Sequence, residues 1–277
     1  MKKVLIPTDF SDNSKVALDY AIELYKDAPC SFYVLNTYDQ LVTSDHFDVA
    51  VATNLKALQM LKKNSETQLK KIETYFKKKN TNANQQIKTI SQIGTLIAAV
   101  KDVVNKEAID VIIMGTKGES SSSNIIFGSS TLQVINKRIA PVIAVPNEYN
   151  FSEIKHILFP TDLYIEFRDK HLKFLLDIAK QTKSKITLLH KIFRGLNTVQ
   201  RENKAKLENY LSEINPLFET IEEKEIDEAI YDYEQSHPTE LLAMINNKHS
   251  FIENLFFTPV VSKIVKHTKI PFLVIPS

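Results

Sequence analysis

The feature that most constrains this chain is that it repeats itself. Val4-Leu5-Ile6-Pro7-Thr8-Asp9-Phe10 returns as Ile157-Leu158-Phe159-Pro160-Thr161-Asp162-Leu163. Ala140-Pro141-Val142-Ile143-Ala144-Val145-Pro146 returns as Ile270-Pro271-Phe272-Leu273-Val274-Ile275-Pro276. Each copy opens on an apolar strand ending in Pro-Thr-Asp and closes on an apolar strand ending in Pro. The polar stretch from Asn147 to Glu153 separates them, so two domains are expected, over 1–148 and 152–277. A length of 277 residues suits that division.

Strands alternate with helices inside each copy. In the first, apolar runs predict strands near 3–8, 31–37, 86–91, 110–114 and 142–145, with helices near 13–27, 50–79, 95–107 and 129–138. The second predicts strands near 156–160, 184–190, 217–222, 240–245 and 272–276. The long helix carries Leu55, Leu58, Leu61, Leu69, Ile72 and Phe76 on one apolar stripe. Gly94-Thr95 reads as a helix start with Thr95 as N-cap. Continuous apolar strands alternating with helices imply an α/β fold whose parallel sheet is covered on both faces. Ligands of such sheets bind beyond the carboxyl ends of the strands.

Composition narrows the function. At 43% hydrophobic and 25% charged residues, the chain is an ordinary globular one. A net charge of +2 argues against nucleic acid as a partner. The densest basic run, Lys77-Lys78-Lys79, reads as the solvated end of a helix. One cysteine, Cys30, excludes an internal disulfide and a cysteine metal cluster, and its default role is in the core. No apolar run approaches the roughly 18 residues of a membrane span. Asp9 and Asp12 cut short the N-terminal apolar stretch, so no signal peptide is read. A cytoplasmic protein without a membrane partner is expected.

Only five glycines occur, and three are Gly115, Gly118 and Gly128. A strand pattern ends at Met114, and a helix pattern opens on Ser129-Ser130-Thr131. Strand, glycine loop and helix N-terminus together form a phosphate-binding arrangement built from backbone N–H groups. The same residues can also serve only as a turn and a helix cap. No Gly-x-x-x-x-Gly-Lys-Ser/Thr is present, and no Gly-x-Gly-x-x-Gly follows the first strand. A P-loop ATPase or a dehydrogenase is therefore disfavoured.

Glycine, two residues, glycine, nine residues, then Gly-Ser is the adenine-nucleotide motif of the universal stress proteins. With Pro7-Thr8-Asp9 and the duplication, the chain resembles a tandem member of that family over nearly its whole length. The resemblance implies two Rossmann-like domains of the adenine nucleotide alpha hydrolase type, each a five-stranded parallel sheet flanked by helices. It implies that Asp9, flanked by Pro7 and Thr8, lies by the ribose, where a carboxylate accepts hydroxyl hydrogens. The end of the second strand, at Thr37 after Asn36, would hold adenine by backbone contacts. Met114 would pack on sugar or base. Gly115 and Gly118 would let the loop pass close to the ligand, with Lys117 as a phosphate charge. Gly128, Ser129, Ser130 and Thr131 would face the phosphates. ATP, or ADP or AMP, with Mg2+ accompanying a triphosphate, is the implied cofactor. Ser120 to Ser123 depart from the family pattern and read as a flexible loop or a lid.

The second copy has lost the glycines. Aligned on Pro141 and Pro271, Gly115 faces Ile245, Gly118 faces Lys248, Gly128 faces Thr258 and Ser129 faces Pro259. Pro259 removes a backbone donor, and Phe251, Leu255, Phe256 and Phe257 add bulk. No family-type nucleotide site is expected there. Asp162, His190 and His249 could ligate zinc, although seven histidines make chance convergence the blander reading. The apolar loop is also a candidate docking surface for a partner protein or for the first copy.

Three functions stay open. The first is a stress sensor or regulator that binds an adenine nucleotide in its first half. The second is a slow ATPase, at most weakly active, because no general base beyond Asp9 is evident. The third is a ligand-free scaffold acting through dimerisation or partner binding. Pairing of Val142–Val145 with Phe272–Ile275 within one chain is expected, and further association of two chains is conceivable.

Overall fold

The computed structural model describes residues 1–39, 47–116, 128–147, 149–164, 167, 169–191, 195–221, 226–246 and 270–276. The first half runs β1 (Lys2–Pro7), α1 (Asp12–Leu24), β2 (Cys30–Tyr38), α2 (Phe47–Lys79), β3 (Gln85–Ile93), α3 (Leu96–Glu107), β4 (Val111–Gly115), α4 (Ser129–Asn136) and β5 (Val142–Val145). The second runs β6 (His156–Thr161), α5 (Asp169–Thr182), β7 (Lys185–Lys191), α6 (Thr198–Tyr210), a 3-10 turn (Ser212–Ile214), β8 (Leu217–Ile221), α7 (Ile226–Ser236), β9 (Leu241–Asn246) and β10 (Phe272–Pro276). The ten strand assignments agree with the expected positions to within two residues or so.

The strands form one ten-stranded sheet in the order β3-β2-β1-β4-β5-β10-β9-β6-β7-β8. Each half keeps the same internal order and is parallel within itself. The expected pairing of the closing strands joins them. Phe272, Leu273 and Val274 lie antiparallel to Ala144, Ile143 and Val142.

Strand residues alternate between two cores because side chains in a strand point alternately to opposite faces. Val4 and Ile6 enter one core with Leu69 and Phe76 of α2, Leu172 and Leu175 of α5, and Leu207 of α6. Leu5 enters the other with Val100 of α3, Ile135 of α4 and Ile230 of α7. The Leu55 and Leu61 end of the α2 stripe stays exposed, whereas Leu69 and Phe76 are buried and Ile72 is half-buried. Lys79 differs from a merely solvated lysine: it reaches back to Asp19 of α1 at 2.9 Å. Cys30 is fully buried, as expected.

Helix starts follow local chemistry. The Ser11 side chain accepts the Ser14 N–H to cap α1, and Thr95 accepts that of Ala98 to cap α3. Gly94 precedes this cap at φ 114°, a left-handed conformation that favours glycine. Asn197 and Gln200 close a capping box on α6. The halves also meet outside the sheet. Lys2 pairs with Asp177 at 2.6 Å and Gln181 Nε2 donates to the Leu24 carbonyl, while Phe151 of the connecting stretch stands edge-on to Tyr20. Among the described residues, no helix is long and apolar enough to cross a membrane.

Candidate functional site

The chain turns sharply as it leaves β1. The Thr8 N–H extends the ladder by donating to the Leu35 carbonyl at 2.8 Å. Thr8 Oγ1 accepts the Phe10 N–H at 3.0 Å, and Asp9 Oδ1 accepts the Ser11 N–H at 3.1 Å and its hydroxyl at 2.6 Å. Short polar side chains that bond backbone two residues on make such turns, and here Phe10 takes φ 67°. The turn delivers Ser11 to the start of α1. Asn36, buried at the end of β2, donates Nδ2–H to the Thr8 carbonyl at 2.8 Å.

The end of β4 lies beside this turn. A Cβ added to Gly115 would stand 2.8 Å from the Asn13 carbonyl oxygen. Its missing side chain therefore lets α1 approach β4, a packing role beside the expected approach to a ligand. The Thr116 N–H donates to the Val145 carbonyl at 2.8 Å, and the Gly128 N–H donates back to the Thr116 carbonyl. Thr131 is buried and donates its hydroxyl to the Gly115 carbonyl at 2.8 Å. That hydroxyl anchors α4 and keeps only acceptor capacity for a ligand.

These elements enclose one cleft beyond the carboxyl ends of β1, β2 and β4. Pro7, Thr8 and Asp9 form one wall, Thr37 and Asn36 a second, and Met114 and Gly115 a third. Ser130 and Thr131 of α4 close it. Gly128 is the N-cap of α4 and is buried, while Ser129 is exposed. Lys117, Gly118 and Ser120 to Ser123 lie outside the described residues. Ser14 and Leu96 also line the cleft, although no motif marked them. Leu96 had a faint signal, because it directly follows the Gly94-Thr95 cap.

The start of α4 is chemically distinct. Gly128 makes no side-chain cap, unlike Ser11, Thr95 and Asn197. The first N–H groups of a helix have no intrahelical acceptor and carry the positive end of its dipole. Here they sit at an edge lined by hydroxyls and glycine.

The second half rebuilds the turn but changes its neighbour. Thr161 Oγ1 accepts the Leu163 N–H at 3.1 Å and Asp162 Oδ1 the Tyr164 N–H at 3.0 Å, with Leu163 at φ 58°. His190 replaces Asn36: its Nδ1 lies 2.8 Å from the Thr161 carbonyl, so Nδ1 carries the hydrogen. Nε2 is buried with no partner among the described residues. Burial holds this imidazole below its ordinary 6.5, against the opposing pull of the Thr161 carbonyl and Asp162. Ile245 stands opposite Ile275 as Gly115 stands opposite Val145. Among the described residues, no group of three His, Cys, Asp or Glu side chains could hold a metal ion. His249 and the residues at 248, 258 and 259 lie outside the described part.

A doubly wound, mostly parallel sheet flanked by helices, with a cleft beyond its strand ends, defines an α/β protein of the Rossmann-like class. The chain belongs to the universal stress protein family, whose model matches residues 1–146. It is 27% identical over 153 residues to universal stress protein MJ0577 of Methanocaldococcus jannaschii, a match covering 52% of this chain and 94% of the relative. The fold extends beyond the matched half. A universal stress protein structure from Archaeoglobus fulgidus superposes with a TM-score of 0.71 at 17% identity, covering 98% of this chain and 97% of that one. The functionally unknown protein PA1789 of Pseudomonas aeruginosa gives 0.61 at 13% identity, covering 100% and 92%.

Proposed function

We propose that the chain binds one adenine nucleotide in the cleft of its first half, and that occupancy of this site regulates a cytoplasmic stress response. The observation carrying this reading is the uncapped start of α4 set against Asp9, Thr37 and Gly115. The nucleoside would lodge between Pro7, Thr37 and Met114, with ribose hydroxyls at Asp9. Its phosphates would reach the N–H groups of Ser129 and Ser130. The cleft encloses about 180 Å³, below the ~300 Å³ common for a whole drug-sized ligand. That volume suits a nucleoside body with its phosphates extending past it. Charge-assisted hydrogen bonds of this kind contribute about 1.5–3 kcal/mol each, and several together support micromolar binding. Mg2+ would travel with a triphosphate through phosphate oxygens and water, because the described residues offer no metal cluster.

In the second half, Ile245 fills the position of Gly115, so the reading gives one nucleotide per chain. The test is to purify the chain, denature it and analyse the released small molecules, then titrate the stripped protein with ATP. One equivalent of ATP bound per chain supports the sensor. ADP or AMP released after incubation with ATP points to slow hydrolysis. No release and no saturation sinks the nucleotide reading and leaves a scaffold.

A further inference from the structure

A second cavity lies between α1, α2 and the strands β1 and β2. It encloses about 230 Å³. An apolar cavity of about 150 Å³ stays dry and takes up benzene, so this one has room for a larger apolar body. Its walls are the side chains of Ile6, Leu18, Val34 and Ile72, with the rings of Phe10 and Tyr75 at the opening. Ile6, Leu18 and Val34 are almost wholly buried, whereas Phe10, Ile72 and Tyr75 are half-buried. The cavity therefore opens at the surface between the two helices.

Its rim is cationic. Lys15 from α1 and Lys71 from α2 both border the opening, with Gln68 beside them. Lys15 Nζ sits 5.2 Å from the Tyr75 ring centroid. Neither lysine is ion-paired with a described carboxylate. Asp19 of α1 is engaged by Lys79 and by the Tyr75 hydroxyl. An apolar hole beneath two lysines complements a small molecule with an apolar body and an anionic head.

We infer that this cavity is a binding site for a small amphipathic carboxylate, a medium-chain or aryl-alkyl acid. The chain or ring fills the space among Leu18, Val34 and Ile72, and the carboxylate meets Lys15 and Lys71 at the rim. This site does not depend on the nucleotide reading, since it shares only Thr8 and Ser14 with the cleft.

Calorimetric titration of the full chain with octanoate and with 4-phenylbutyrate tests the site, with 1-octanol as the uncharged probe. One equivalent of at least one acid is expected per chain. The exposed double variant Lys15→Gln/Lys71→Gln should bind that acid at least about fivefold more weakly, because exposed charge pairs contribute modestly, and bind octanol unchanged. Ile72→Trp should block all three probes. Should Ile72→Trp not fold, methyl NMR of the parent chain decides instead: acid-induced shifts must centre on Leu18, Val34 and Ile72. Absence of saturation by either acid near 1 mM, equal acid affinity in the double variant, or shifts centred elsewhere overturns the proposal.

Discussion

The hydroxyls of Thr8 and Ser14 lie 2.9 Å apart, and both residues wall the cleft at the strand ends on one side and the apolar cavity on the other. Ser14 Oγ also donates to the Ser11 carbonyl at 2.8 Å. Ser14→Ala removes both interactions and leaves Thr8 without its neighbour. A loss of about 1 kcal/mol is expected, read as a lower urea midpoint at unchanged slope. An unaltered midpoint shows that the pair is structurally idle.

Gly115 is held glycine by the protein itself. The Cβ of Gly115→Ala would meet the Asn13 carbonyl oxygen at 2.8 Å, and backbone cannot swing aside as a flexible side chain can. Overpacking of this kind costs about 1–3 kcal/mol. Thermal melting of the nucleotide-free chain should reveal the loss. A variant that melts like the parent but no longer binds nucleotide would instead assign this glycine to the ligand.

These two cases show where the sequence was readable. Strands such as Val111–Gly115 are buried on both faces and announce themselves as apolar runs. The cleft corner was legible because Pro-Thr-Asp and Gly115 each sit at a strand end and Gly128 at a helix start, the places where an α/β sheet gathers its ligand contacts. The encounter of Gly115 with Asn13 was not legible, since it depends on how closely α1 packs on β4. Ser14 is also brought to the cleft by packing alone and carries no local signature, and Leu96 is marked only by the cap before it. The replacement of Asn36 by His190 at one carbonyl contact depends on the pairing of β1 with β2 and of β6 with β7.

Alkaline conditions should loosen the first half. Burial, with Asp110 adding to it, pushes the Cys30 thiol up from 9.0 to about 12. Burial and its hydrogen bond to Asp19 push the Tyr75 hydroxyl up from 10.0 to about 12. Between those limits the unfolded chain has lost protons that the folded chain keeps, so stability falls as pH rises. The stabilisation is full below pH 9.0 and is lost toward about pH 12. Urea titrations at stepped pH should show the decline, and Cys30→Ala should flatten its lower part. In the native state at pH 8 the thiol should resist alkylation.

The second half should weaken in acid. The folded His190 imidazole is held below its ordinary 6.5, chiefly by burial. Below pH 6.5 the unfolded chain takes up a proton that the folded chain resists, so stability falls as pH drops from 6.5 toward the depressed folded value. His190→Asn installs the first-half residue, which can still donate to the Thr161 carbonyl. Its stability should decline less steeply in that window. An identical slope in parent and variant would assign the acid sensitivity to another group.

The seam between β5 and β10 joins strands that belong to the same molecule but are not the same strand. In a symmetric dimer every substitution appears twice, and a change that suits one subunit must be tolerated by the other. Here each position is altered once. The two halves can drift apart in chemistry while their stoichiometry stays fixed at one to one, with no assembly step and no dependence on concentration. Gly115 on one side and Ile245 on the other are what that freedom permits.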